Sequence, residues 1–224
     1  NNNEINLNDT GIKLSTANAN TISNNTINSN ITDGVYIASS TSVTLNNNEI
    51  NLNDTGIKLS TANYNTRMEN TISSNLFSGV TLSSSSLNNI ENNALNSNSN
   101  RGIYLTNSDE NDLDYNTMDQ GVYGIYFDNS DSNVLSNNNI RETVNTGIFT
   151  AYSSFNTIDN NILTLNNQFG IKIITGSENV ISNNTISTNA SGISILSSLN
   201  NDLIKNDINY NTEIGITLSD RDGN

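Results

Sequence analysis

Six side chains in this 224-residue chain have types and spacing that could do chemistry: Glu91, Asp112, Asp114, Tyr104, Tyr126 and Phe149. Glu91 and Asp114 are 23 positions apart, and Asp112 precedes Asp114 by two. If positions 22 or 23 apart stack on successive coils, Glu91 and Asp114 face outward with about 5 Å between their Cα atoms. Retaining glycosidases use a carboxylate pair at about that separation, and such a cluster could equally hold Ca²⁺. The plainer reading is a solvated acidic patch, Asp109 to Asp131, on a protein that is acidic overall. Tyr104, Tyr126 and Phe149 recur at the same interval as an exposed stripe. Such rings could stack on sugars or anchor a partner, or simply pair with each other across coils.

Composition removes much other chemistry. The chain has no His, Cys, Pro or Trp. Without Cys there is no disulfide framework or thiolate, and without His the usual general base and commonest metal ligand are missing. A formal charge of −14 disfavours nucleic acid and favours divalent cations and neutral or basic glycans as partners. No apolar run is long enough to span a membrane. The chain opens on Asn1 with no signal peptide, which suggests a mature product or a fragment.

The elements that would position these groups are set by a repeat. The stretch NNNEINLNDTGIKLSTAN occupies 1–18 and again 46–63. Ten glycines, from Gly11 and Gly34 to Gly215, recur at steps of 22 or 23, each followed by Ile or Val. Stricter still is Asn3, Asn25, Asn48, Asn70, Asn93, Asn116, Asn138, Asn161, Asn184 and Asn206. A second, imperfect asparagine column precedes it by five residues, and each column is followed two residues later by an aliphatic residue in nearly every unit. The unit reads N-x-I-x-x-N-x-I, a variable stretch, then G-I-x-L. The variable stretch between the second Ile and the Gly is expected to be a loop. An 18-residue duplication offset by 45, two units, keeps this register.

Three short strands per unit and no helical period predict an all-β solenoid of about ten coils of 22–23 residues over 1–224. Stacked units would make a rod roughly 45–50 Å long at about 4.8 Å per coil. Each unit contributes four inward apolar residues to continuous columns. Stacked amides hydrogen-bond along the axis, and Asn itself tolerates the left-handed conformation of turns. Ala17, Ser40, Ala62, Ser85 and their successors form a column of small residues. Arg67 falls in an aliphatic column. A buried, unpaired guanidinium is costly, so a local bulge that turns Met68 inward is expected instead. Thr150 and Val43 are milder departures.

These columns resemble the right-handed, single-stranded parallel β-helix repeat family, and most closely its NosD-like repeats. The resemblance covers essentially the whole chain and implies the coil's handedness. A leucine-rich repeat would need L-x-x-L-x-L and a helical return segment, which are missing. NosD's association with copper delivery does not carry over: copper favours His, Cys or clustered Met, and only Met68 and Met118 are present. The wider superfamily includes pectate lyases, polygalacturonases and alginate epimerases. They place acids on exposed strands but generally add Lys, Arg or His, and here Arg101 is the lone basic residue near the acids. Catalytic β-helices also build clefts from long loops, whereas these loops stay within one residue of each other.

The expectation is therefore a structural or adhesive solenoid of a cell surface, sheath or extracellular filament. The alternative is a carbohydrate-binding or polysaccharide-cleaving β-helix protein. Expected cofactors are none, with calcium at Glu91, Asp112 and Asp114 as an option. The expected partners are further copies or β-helix segments stacked end to end, because no caps are visible, and surface glycans. Six N-x-S/T sequons occur, at Asn8, Asn24, Asn30, Asn53, Asn183 and Asn189. Asn8, Asn30, Asn53 and Asn189 lie in the variable stretch and are expected to be accessible to glycosylation.

Overall fold

The computed structural model describes residues 2–219. They form a right-handed parallel β-solenoid with no helix among them, its strands in three sheets of ten, ten and nine. Sheet 1 runs from Glu4–Asn6 to Asp207–Asn209, sheet 2 from Ile12–Ser15 to Ile216–Ser219, and sheet 3 from Thr21–Ser23 to Asp202–Ile204. Each strand pairs in parallel with its counterpart 22 or 23 residues away, as in Ile27 with Ile50 and Leu82 with Leu105. The inward positions of all three sheets form one core of Ile, Leu and Val, fully buried through the middle of the rod.

Polar columns at the corners hold the coils in register. Asn70 Nδ2 donates to Asn93 Oδ1 at 3.0 Å, and the Asn70 backbone N–H donates to the same oxygen at 3.1 Å. Nδ2 also donates to the carbonyl of Leu45, at 3.0 Å. The pattern recurs along the column from Asn3 to Asn206. Each amide thus satisfies a turn N–H that would otherwise be buried without a partner. The second column works likewise from Asn65 to Asn201. At Val43 the side-chain link is missing, but its N–H still donates to Asn65 Oδ1. The small column is also a hydrogen-bonded ladder: Ser108 N–H donates to Ser130 Oγ, and Ser108 Oγ donates to the Thr106 carbonyl.

Several expectations are corrected. The left-handed residue of each corner is not the ladder residue but the one before it, as in Glu69 (φ 53°) before Asn70 and Tyr115 (φ 51°) before Asn116. Such backbone costs about 1–3 kcal/mol per residue and persists only where its surroundings fix it; the following ladder residue does so. The column glycines sit against the neighbouring coil; Gly79 is the second residue of Ser78–Ser83. A Cβ there would lie 2.7 Å from the Gly102 carbonyl oxygen and 2.8 Å from Leu95 Cδ2.

The stretch expected to be a loop contains a third asparagine ladder. Asn8, Asn30, Asn53, Asn75 and Asn98 bond in sequence, and Asn166, Asn189 and Asn211 continue it. Gly121 and Thr143 fill the column between. Only the two or three residues before each Gly vary in number. Asn30, Asn53 and Asn189 are therefore 3 %, 0 % and 1 % exposed, so the accessibility expected for these sequons is wrong. Asn8 is exposed at the start of its column.

Arg67 does not bulge out. It is 0 % exposed and in register between Leu45 and Ile90, with none of its guanidinium nitrogens hydrogen-bonded. Burial pushes its pKa down to about 9. The reason is local. Asn65 and Asn70 lie five residues apart and are both locked into ladders, so the strand Thr66–Met68 between them has no slack for a bulge. Met68 stays outward and half-buried. Thr150 sits in the core between Phe127 and Ile173, its hydroxyl without a partner.

Candidate functional site

The acids lie on the outer face of sheet 3. The strands Asn89–Glu91 and Asp112–Asp114 are adjacent and in register, with Glu91 opposite Asp114 and both side chains half-buried. Glu91 accepts hydrogen bonds from the amides of Asn89 and Asn92, at 3.3 and 3.1 Å. Asp114 Oδ1 accepts from Ser136 Oγ and Asn137 Nδ2, both at 2.7 Å. Asp112 is outward and exposed. Its carboxyl pKa is raised, first by partial burial and then by the charges of Asp114 and Glu91.

The Asp114 arrangement recurs two coils on. Asp159 Oδ1 accepts from Ser182 Oγ at 2.6 Å and Asn183 Nδ2 at 2.7 Å, with no second acid opposite. Asp114 is therefore one instance of an acid that staples its coil to the next. Among the described residues, no group of three or more His, Cys, Asp or Glu side chains is placed to hold a metal ion.

The aromatics lie on a different face, the outside of sheet 2. Tyr104 is in register with Tyr126, and Tyr126 with Phe149. Tyr104 and Tyr126 meet edge to face, centroids 5.5 Å apart and planes at 75°; Tyr126 and Phe149 lie 4.8 Å apart at 32°. Tyr123 joins this shelf, 5.1 Å from Tyr126 and 5.6 Å from Phe149. Arg101 sits against the rings, its Cζ 4.2 Å from the Tyr104 centroid, 4.7 Å from Tyr126 and 5.2 Å from Phe77. Burial pushes the Tyr126 phenol up, as does the nearby Asp128, while Arg101 opposes the shift.

The structure thus brings the six expected residues together as two sets on two faces, not as one site. Sequence reasoning placed Arg101 near the acids and missed both its aromatic setting and Tyr123. Both were legible: Arg101 and Tyr123 occupy the position just before the column glycine, three residues ahead of Tyr104 and Tyr126. The partners of Asp114 were legible too, since Ser136 and Asn137 follow it by 22 and 23 residues.

With fold and geometry in hand, the family is decided by sequence. Residues 1–140 match the family described as right handed beta helix region, and residues 97–224 match periplasmic copper-binding protein (NosD). The chain belongs to the parallel β-helix repeat family. No curated protein is significantly similar in sequence. Among solved structures, the fold is shared with the periplasmic alginate epimerase AlgG (18 % identity, TM-score 0.66, 90 % of this chain and 49 % of that one). It is shared with PfbA, a surface adhesin of Streptococcus pneumoniae (15 % identity, TM-score 0.67, 87 % and 62 %). The Dettilon tailspike protein is also similar (14 % identity, TM-score 0.66, 96 % and 61 %). The chain spans about half the length of the epimerase.

The donors present do not fit the copper of the NosD description. His and Cys are absent. Met118 is fully buried in the core, and Met68 is half-buried on the outside of sheet 3. Copper's soft and imidazole ligands are thus unrepresented in any cluster.

Proposed function

We propose that this chain is a non-catalytic β-solenoid module of an exported protein, serving as a rigid structural or adhesive element of a cell surface, sheath or extracellular filament. One observation carries the reading: across the described residues the coils keep one register, without an inserted loop to build a cleft around the acids. The stapling of Asp114, repeated at Asp159, supports it by assigning that acid to coil-to-coil bonding. The periplasmic and surface locations of the similar proteins support export.

A second reading, glycan binding or polysaccharide turnover, is favoured by the aromatic shelf with Arg101 and by the fold shared with the alginate epimerase. The two separate on incubation with alginate and polygalacturonate, with and without Ca²⁺. The structural reading predicts no new reducing ends, no unsaturated uronate absorbance and no epimerised residues by NMR. Turnover that is abolished by Glu91→Gln or Asp114→Asn would overturn it.

A further inference from the structure

The charges of the rod are sorted by face. The chain has eight Lys and Arg residues. Four of them, Lys13, Lys58, Arg101 and Lys172, lie on strands of sheet 2. Each sits against an aromatic ring: Lys13 and Lys58 at 5.5 and 5.8 Å from Tyr36, Arg101 on Tyr104, and Lys172 at 4.6 Å from Phe169. The strands of sheet 2 carry two acids, Asp33 and Asp128. The strands of sheet 3 show the opposite balance. They carry Glu91, Asp112, Asp114, Asp159 and Asp202, and their one cation, Arg67, points into the core.

The two faces are also commensurate. Lys13, Lys58 and Arg101 lie on every second strand of sheet 2, and Asp114, Asp159 and Asp202 on every second strand of sheet 3. Both sets therefore repeat at about 10 Å along the axis. With two rods antiparallel, Lys13 comes level with Asp202, Lys58 with Asp159, and Arg101 with Asp112 and Asp114, nearly the whole length overlapping. The crowding of Asp112 by Asp114 and Glu91 would be relieved by a cation brought to that face, and the half-buried rings around Arg101 would lose their remaining water.

We infer that the outer face of sheet 2 docks side by side onto the outer face of sheet 3 of a second copy of this chain. The contact joins two different patches, so each copy keeps one of each free and the association propagates laterally. It deepens the structural reading above and rests on it for its use.

The test is sedimentation velocity on the full chain over a concentration series at low and high salt, with two charge-reversal variants. Lys13→Glu/Lys58→Glu makes both faces acidic. Asp112→Lys/Asp202→Lys changes exposed acids outside the hydrogen-bonded staples and sets a lysine level with both Lys13 and Arg101. The parent should self-associate, and about tenfold or more less tightly at 0.5 M salt than at 0.02 M, as screening shortens the reach of the charges. Each variant alone should stay monomeric with an unchanged melting temperature, and an equimolar mixture should associate again. A parent monomeric at all concentrations overturns this contact and leaves the structural reading intact. Association that ignores salt and both reversals assigns it to the rod ends and also overturns the contact. Saturable binding of alginate by a monomeric parent, lost in Lys13→Glu/Lys58→Glu, assigns the basic face to a glycan and overturns it as well.

Discussion

At the scale of single residues, two of the inward aliphatic positions among the described residues are taken by polar side chains that nothing compensates. Arg67 buries a guanidinium among aliphatic residues without one hydrogen bond, and Thr150 buries a hydroxyl in the same condition. Removing an uncompensated buried charge stabilises, because desolvation has no matching attraction. Arg67→Leu should therefore raise stability by about 2–4 kcal/mol, roughly 5–15 °C in melting temperature for a chain of this size. The pH dependence has a definite sign. The folded pKa of Arg67, about 9, lies well below the ordinary guanidinium value, so the unfolded chain holds the proton more tightly. The penalty is present in full below about pH 9 and shrinks as pH rises from there. Chemical denaturation should show the gap between Arg67→Leu and the parent narrowing above pH 9. Thr150→Val keeps the shape, removes the orphaned hydroxyl and should add about 1 kcal/mol by the same measurement.

At the scale of the element, the corner is the unit of construction: one left-handed residue, then one side chain that bonds to the coils around it. The middle of a ladder should be its most sensitive point. Asn93 donates to Asn116 Oδ1 and to the carbonyls of Arg67 and Glu91, and its own Oδ1 accepts from Asn70 twice. Asn93→Ala leaves several of these groups buried without partners and should cost about 3 kcal/mol or more. Asn89→Ala, four residues earlier on an outward position, should cost under about 0.5 kcal/mol. Gly79→Ala should be at least as harmful as Asn93→Ala, since the first atom it meets is a backbone carbonyl. Thermal melts of the three variants give the order.

Much of this element was legible in the sequence, because a solenoid writes its contacts as a period: the first asparagine column, the four inward apolar positions and the glycine column all follow from it. The third asparagine ladder was missed because Gly121 and Thr143 interrupt it and the length variation next to it hides its regularity. The fate of Arg67 was missed for a different reason. Side-chain preference predicted a bulge, but the backbone between Asn65 and Asn70 is fixed by bonds to two neighbouring coils, and that constraint outweighs one unfavourable side chain. The split of the acids and aromatics onto two faces depends on which sheet each column joins, which the spacing does not display.

At the scale of the whole molecule, the account rests on a straight stack with one coil per 22 or 23 residues. Its measurable consequence is that one column on one face is a ruler. Glu49, Asn139 and Asp207 are outward on sheet 1, with Asn139 four strands and Asp207 seven strands beyond Glu49. The chain has no cysteine, so paired spin labels at Glu49→Cys with Asn139→Cys, and at Glu49→Cys with Asp207→Cys, report those distances by pulsed electron resonance. The stack predicts narrow distributions near 19 and 34 Å, about 4.8 Å for each coil crossed. Broad distributions, or distances that do not grow in proportion to the coils between the labels, would contradict it.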